Sequence, residues 1–133
     1  EQLEIIKKKY NYNGYKIDFY NANFVNEINK NLKNEKINNI LLSEVLEHLE
    51  NPKKILETLY QVNFERIIIT VPNEPLWRIL NMMRGKYLKN FGNTPGHINH
   101  FSIKSLKKIL LSVGFNVEEI KTSQPFLLFS CRK

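Results

Sequence analysis

Two acidic side chains and a histidine stand close together near the middle of the chain. If the segment that begins at Ser43 is helical, Glu44, Glu47 and His48 are spaced by three and four residues and share one face. Two carboxylates and an imidazole can bind Mg²⁺ or Mn²⁺, and such an ion can orient a hydroxyl group and lower its pKa. The same side chains can instead hold a turn between a strand and a helix through hydrogen bonds. The spacing leaves both interpretations open.

Two further histidines, His97 and His100, lie in a long connection between residues 73 and 101. A connection of this size inside a compact domain is typically a lid or a binding element. Imidazole titrates near neutral pH, so these two histidines are candidates for removing a proton from a bound substrate. They can equally shape the loop without touching a substrate.

Strands and helices must bring these side chains together, and the hydrophobic pattern predicts an α/β order. The residues around Asn51-Pro52 form a strong helix start, because asparagine can cap a helix and proline fits its first turn. The short gap before the last strand predicts that the final two strands are antiparallel. The predicted helices cover residues 1–9, 24–32, 52–62, 76–83 and 102–113, and the predicted strands cover residues 15–20, 37–42, 66–71, 115–121 and 126–131. The strand over 37–42 is nearly all apolar, which predicts burial on both faces.

Composition restricts the class of protein. The 133 residues carry a formal charge of +7, and the single cysteine, Cys131, excludes an internal disulfide and a cysteine-based zinc site. The lysines are dispersed, which favours solvated helix faces, although a nucleic-acid or phosphate-rich partner stays possible on charge alone. The longest apolar runs are too short to span a membrane, so the chain is predicted to be soluble and cytoplasmic.

Four motifs in order resemble class I S-adenosylmethionine-dependent methyltransferases of the type 11 and type 23 kind. They are Ser-Glu-Val-Leu-Glu-His-Leu-Glu-Asn-Pro at 43–52, Ile-Ile-Ile-Thr-Val-Pro-Asn at 67–73, Gly-His-Ile-Asn-His-Phe-Ser at 96–102 and Ser-Val-Gly-Phe at 112–115. The resemblance implies a three-layer α/β/α fold with a Rossmann-like sheet, mostly parallel and with an antiparallel C-terminal strand pair. It places residues 37–42 on the fourth strand of the family sheet and residues 66–71 on the fifth.

The resemblance also implies roles for particular residues. Asn21 and Ala22 match the positions beside the cofactor adenine, where asparagine replaces the usual acid and keeps a carbonyl acceptor. Leu42 and Ser43 match positions that line the methionine part of S-adenosylmethionine. The set Glu44, Glu47 and His48 is similar to that of metal-assisted O-methyltransferases, in which a later histidine, here His97 or His100, completes the site. For methyl transfer to a hydroxyl group, His97, His100 or His48 is the candidate base.

The front of the family fold has no counterpart in the sequence. No glycine-rich loop precedes Asn51, and the family's first two strands are missing. We therefore expect residues 1–133 to be the C-terminal two thirds of a single methyltransferase-like domain, incomplete at the N-terminus. We also expect this chain alone to bind S-adenosylmethionine weakly or not at all, since a missing central strand leaves unpaired edges.

Three functions follow as hypotheses. The first is S-adenosylmethionine-dependent methyl transfer to an oxygen of a small molecule, a lipid or a saccharide precursor. The second is a metal-assisted RNA 2′-O-methyltransferase, which the basic balance and the acid and histidine set favour. The third is a non-catalytic, methyltransferase-like binding module. The sequence does not predict an oligomeric state.

Overall fold

The computed structural model describes residues 37–133, and these contain four strands and three α-helices. The strands are β1 (Ile37–Ser43), β2 (Phe64–Pro72), β3 (Asn116–Ser123) and β4 (Phe126–Arg132), and the helices are α1 (Pro52–Tyr60), α2 (Leu76–Met83) and α3 (Ile103–Val113). Two short 3₁₀ turns cover Leu46–His48 and Leu88–Asn90. The predicted helices over 1–9 and 24–32 and the predicted strand over 15–20 lie outside the described residues.

The four strands form one mixed sheet in the order β1-β2-β4-β3. β1 and β2 are parallel and are joined through α1, whereas β4 is antiparallel to both β2 and β3. These directions confirm the predicted Rossmann-like α/β class with an antiparallel C-terminal strand pair. The carboxyl ends of β1 and β2 therefore lie side by side, at the edge where open α/β sheets bind ligands.

The helices begin where the sequence predicts, and one of them ends early. The Asn51 side chain accepts a hydrogen bond from the Lys54 backbone N–H at 3.0 Å, which caps α1 ahead of Pro52. Ser102 caps α3 through the Ser105 backbone N–H at 3.2 Å, and the Ser105 hydroxyl accepts from the Ser102 N–H in return. α3 ends at Gly114, whose φ of 111° is a backbone conformation suited to glycine. α1 ends two residues earlier than predicted.

The core lies between the sheet and the helices α1 and α3, which pack against each other. Its fully buried members include Leu42, Leu56, Ile67, Ile69, Leu106, Leu110, Leu127 and Phe129. Phe101, next to the α3 cap, is also buried. Residues 35–133 form one compact unit, and the single domain over residues 1–133 stays a prediction.

The prediction that β1 is buried on both faces is wrong. Leu42 has no exposed surface, whereas Leu41 is 65% exposed and Asn39, on the same face as Leu41, is exposed as well. Successive side chains of a strand point to opposite faces, so only the face that carries Leu42 is covered. The apolar run alone could not reveal this difference.

A bulge in β3 between Val117 and Glu119 interrupts its pairing with β4. The Glu118 carboxylate contacts the guanidinium groups of Arg66 at 3.3 Å and Arg132 at 3.2 Å. These two ion pairs link β2, β3 and β4 at the end of the sheet opposite the loop that carries His97 and His100, which we call the histidine loop. No helix among residues 37–133 is long and apolar enough to cross a membrane.

Candidate active site

The parallel strand ends are joined by a short polar network. β1 ends at Ser43, and Glu44 then leaves the strand with a left-handed φ of 54°. The backbone N–H of Glu44 donates to the carbonyl of Thr70 at 3.1 Å, and the Thr70 hydroxyl donates to the Glu44 carboxylate at 3.2 Å. The hydroxyls of Ser43 and Thr70 are 3.1 Å apart. Glu44 is thereby held against the end of β2.

The structure brings together Glu47, His48 and His97. One ligand atom from each of these side chains lies within 4.8 Å of the other two. Glu47 and His48 belong to the 3₁₀ turn that follows β1, and His97 comes from the long loop after α2. The rings of His48 and His97 meet edge to face, with centroids 4.9 Å apart. The Glu47 side chain is 1% exposed, so its carboxylate faces the interior of the cluster.

Backbone hydrogen bonds hold the histidine loop in place over the 3₁₀ turn. The carbonyl of Glu47 accepts from the N–H groups of Ile98 at 2.8 Å and Asn99 at 3.0 Å. The Asn99 side chain donates to the carbonyls of Leu46 and Leu49, which flank the same turn. These bonds place His97 beside the turn that carries Glu47 and His48.

Burial changes the proton affinity of the cluster. Removal from water raises the pKa of Glu47 to about 7, and the nearby Glu44 carboxylate adds to the rise. Burial also lowers the pKa of His97, with further lowering by His48 and His100. Neither carboxylate oxygen of Glu47 nor the Nδ1 atom of His97 has a hydrogen-bond partner among the described residues. Oxygen and nitrogen atoms with unused lone pairs that face each other are a donor set for a cation.

Two of the predicted residues lie apart from this cluster. Glu44 was grouped with Glu47 and His48 on the premise of a helix from Ser43, but the turn covers only residues 46–48 and the carboxylate of Glu44 bonds Thr70. His100 lies beside Glu74 instead, with its Nδ1 atom 3.6 Å from the carboxylate. Glu74 is almost fully buried, and this burial raises the pKa of its carboxyl group.

The residues matched to cofactor contacts have different surroundings. A cleft of about 290 Å³ opens at the strand ends and is lined by Ser43, Glu44, Thr70, Ser123, Phe126 and Leu128. Its volume is close to the lower bound of about 300 Å³ for small-molecule sites. Leu42 is fully buried and is not among the residues that line the cleft, whereas Ser43 lines it. Asn21 and Ala22 lie outside the described residues.

Sequence reasoning missed two residues that shape the site. Thr70 bonds both Ser43 and Glu44, and its place at the end of the neighbouring parallel strand was the available signal. Trp77 stacks on the His97 ring with centroids 6.3 Å apart, and its indole N–H donates to the Thr94 hydroxyl at 2.9 Å. No spacing rule links Trp77 to His97, because the loop between them has no regular period.

The polar cluster lies at the carboxyl ends of two parallel strands, in a sheet of order β1-β2-β4-β3. A match between the sequence and a protein-family model agrees with this arrangement. The model of the family described as "Methyltransferase domain" matches residues 3–120. The chain belongs to this methyltransferase family. The family and the fold confirm the resemblance to class I S-adenosylmethionine-dependent methyltransferases. No curated protein matches the sequence.

Solved methyltransferases share the fold at low sequence identity. The small RNA methyltransferase HEN1 is 14% identical with a TM-score of 0.59, over 76% of this chain and 14% of that chain. The Pnkp1/Rnl/Hen1 RNA repair complex gives the same identity and TM-score, over 99% of this chain and 35% of that chain. An S-adenosylmethionine-dependent methyltransferase from Mesorhizobium loti is 13% identical with a TM-score of 0.53, over 74% of this chain and 62% of that chain. The chain thus spans less than two thirds of each of these proteins.

Proposed function

We propose that the protein transfers a methyl group from S-adenosylmethionine to a hydroxyl oxygen, and that Glu47, His48 and His97 bind a divalent cation beside the acceptor. The observation that carries this proposal is the convergence of these three side chains at the carboxyl ends of β1 and β2. The acceptor is a small molecule, a lipid or a saccharide precursor. With His97 bound to the cation, His100 is the candidate for removing the hydroxyl proton, and without a cation His97 is a candidate as well.

The donor set fits a cation on two counts. Both oxygens of Glu47 are buried without a hydrogen-bond partner among the described residues, and so is Nδ1 of His97. A buried carboxylate without a partner costs free energy that a bound cation would offset. Two imidazoles and one carboxylate suit Mn²⁺ better than Mg²⁺, because Mg²⁺ prefers oxygen ligands. We therefore expect tighter binding of Mn²⁺.

The chain's own residues would position the acceptor and receive its proton. A bound divalent cation would supply one thing, a lowered pKa of the acceptor hydroxyl. His97 is held as a neutral imidazole by its lowered pKa, so it can act as a ligand or accept a proton at neutral pH. Ser43 and Glu44 line the cleft next to the cluster, where the methyl donor would lie against the acceptor.

An RNA 2′-hydroxyl is the second candidate acceptor, and the distribution of charge favours it. Residues 75–117 hold seven lysines and arginines and no acid, and they include the loop that carries His97 and His100. A phosphate backbone would be attracted to such a surface. The steep dependence of RNA binding on salt would distinguish this acceptor from an uncharged one.

Binding of Mn²⁺ and methyl transfer test the proposal together. Titration calorimetry should show one Mn²⁺ site in the protein, and Glu47→Gln should weaken it at least tenfold while the matched surface variant Glu57→Gln leaves it unchanged. Glu57 is half exposed and pairs with the exposed Lys53, so it controls for the loss of one acid. Because residues 1–133 alone are expected to bind S-adenosylmethionine weakly, the transfer assay uses the natural protein that contains them. In that protein, radiolabelled S-adenosylmethionine should label hydroxyl compounds, with EDTA suppressing the transfer. Labelling that is unaffected by EDTA contradicts the metal assignment. Cation binding without transfer to any acceptor favours the binding module instead.

A further inference from the structure

Ten consecutive residues after the middle of α2 are all exposed, from Met82 to Phe91. This segment, which we call the exposed segment 82–91, has the sequence Met-Met-Arg-Gly-Lys-Tyr-Leu-Lys-Asn-Phe. Its largest apolar side chains are open to solvent, with exposed fractions of 79% for Met83, 60% for Leu88 and 73% for Phe91. Concentrations of exposed apolar surface in soluble domains mark sites of association. This segment is therefore a candidate interaction surface.

The charge of the exposed segment has one sign. Arg84, Lys86 and Lys89 alternate with its apolar residues, and no acid occurs between Glu74 and Glu118. The seven cations of residues 75–117 equal the net charge of the whole chain, because the other ninety residues hold thirteen basic and thirteen acidic side chains. A surface that is both apolar and uniformly cationic is complementary to a partner that is apolar and anionic.

The segment has a defined shape in spite of its exposure. The Arg78 guanidinium donates to the Phe91 carbonyl at 3.0 Å, and the Asn81 side chain donates to the Gly92 carbonyl at 2.9 Å. Gly92 lies so close to α2 that a Cβ atom there would come within 2.1 Å of the Arg78 carbonyl oxygen. These contacts fold the segment back on α2. Tyr87 takes a left-handed conformation, with a φ of 54°, at the start of its short turn.

We propose that the exposed segment 82–91 docks on an anionic lipid surface. Its apolar side chains would enter the boundary between headgroups and acyl chains, and its three cations would remain at the anionic headgroups. RNA can use the cations and can stack on Tyr87 and Phe91, but it offers nothing apolar to Met82, Met83 and Leu88. Ile79 of α2 is also exposed and lies three and four residues before Met82 and Met83. It therefore extends the same apolar surface along the helix.

The docking surface leads directly into the candidate active site. Five residues after Phe91, the carbonyl of Gly96 bonds His48, and the N–H of Ile98 bonds Glu47. A protein docked through this segment would hold the Glu47, His48 and His97 cluster near the lipid headgroups. The narrower conclusion, that the acceptor hydroxyl belongs to a membrane lipid, rests on the proposed methyl transfer, whereas docking itself does not.

Co-sedimentation with vesicles tests the docking. The chain should bind vesicles of phosphatidylglycerol and phosphatidylcholine, bind pure phosphatidylcholine at least tenfold more weakly, and lose affinity as salt is raised. Replacing Arg84, Lys86 and Lys89 by glutamine should weaken vesicle binding about a hundredfold, because each cation contributes a factor of about five. The double variant Leu88→Ser with Phe91→Ser should weaken it at least tenfold.

Matched variants on α3 test whether vesicle binding depends on this segment or on charge and apolar surface anywhere on the protein. The triple variant Lys104→Gln, Lys107→Gln and Lys108→Gln removes the same charge from exposed positions, and Ile103→Ser with Leu111→Ser removes exposed apolar surface. Both should bind vesicles like the unchanged chain. Equal losses in the α3 variants, absence of vesicle binding, or binding only to single-stranded RNA would each overturn the assignment. Vesicle binding without methyl transfer by the natural protein that contains residues 1–133 would leave docking supported and count against the proposed function alone.

Discussion

The Nδ1 atom of His48 lies 2.8 Å from the carbonyl oxygen of Gly96. A carbonyl oxygen only accepts, so the ring nitrogen must donate, and the Nδ1 proton fixes the tautomer of His48. In the neutral ring, the Nε2 lone pair is then free, and this atom lies 3.8 Å from the Glu47 carboxylate. Metal-binding histidines commonly have their second nitrogen fixed in this way. This hydrogen bond thus joins the histidine loop to the turn after β1 and directs the Nε2 atom of His48 into the cluster.

The two loop histidines should differ in cation binding. His97→Ala should weaken Mn²⁺ binding at least tenfold, because His97 contributes a ligand atom to the cluster. His100→Ala should leave it nearly unchanged, since His100 lies beside Glu74. Titration calorimetry or the electron paramagnetic resonance signal of free Mn²⁺ measures both. A loss as large in the His100 variant as in the His97 variant would contradict the three-residue cluster.

Glu47 should make the stability of the metal-free protein depend on pH. Its pKa is about 7 in the folded chain and near 4.5 when unfolded, so folding favours the protonated form. The free energy of unfolding should therefore fall by about 3 kcal/mol as pH rises from about 4.5 through 7. Urea unfolding in EDTA should show this fall relative to Glu47→Gln, which has no carboxyl group to ionise. Parallel pH curves for the two proteins would contradict the raised pKa.

Two glycines in the loop after α2 offer a matched steric test. Gly92 and Gly85 have φ angles of 75° and 69°, so alanine is strained at both, but only Gly92 faces a clash with Arg78. Gly85→Ala should lower the free energy of unfolding by about 1 kcal/mol, and Gly92→Ala by about 2–4 kcal/mol. Gly92→Ala should also make the exposed segment 82–91 easier to cleave with trypsin. Similar losses for both variants would mean that the close approach to α2 is absent.

The cap of α3 should matter more than a hydroxyl inside the helix. Ser102→Ala removes the acceptor for the Ser105 N–H and should lower the free energy of unfolding by about 1 kcal/mol. Ser112→Ala is the control, because its exposed hydroxyl donates to the Ile109 carbonyl within the same helix. That variant should stay within about 0.5 kcal/mol of the unchanged protein. Thermal or urea unfolding compares the two, and equal effects would contradict a specific capping role.

The secondary structure of residues 37–133 could be predicted well because its signals are local. Asn51-Pro52 starts α1, Ser102 and Gly114 bound α3, and the apolar runs at 37–42 and 66–71 mark the two parallel strands. Each of these signals acts between residues no more than a few positions apart. The exposure of Leu41 could not be predicted in this way, because it depends on which elements cover each face of β1.

The sequence alone predicts the family, the order of strands and helices along the chain after residue 37, and the junction after β1 as the place where polar residues gather. Which of these residues meet depends on the tertiary fold. Glu44 leaves the group because its backbone turns left-handed and its carboxylate bonds Thr70 on the neighbouring strand. His97 joins it because backbone bonds from Ile98 and Asn99 to Glu47 place a residue fifty positions away beside the turn. Helical spacing describes neighbours along one element, whereas the cluster is formed between two segments.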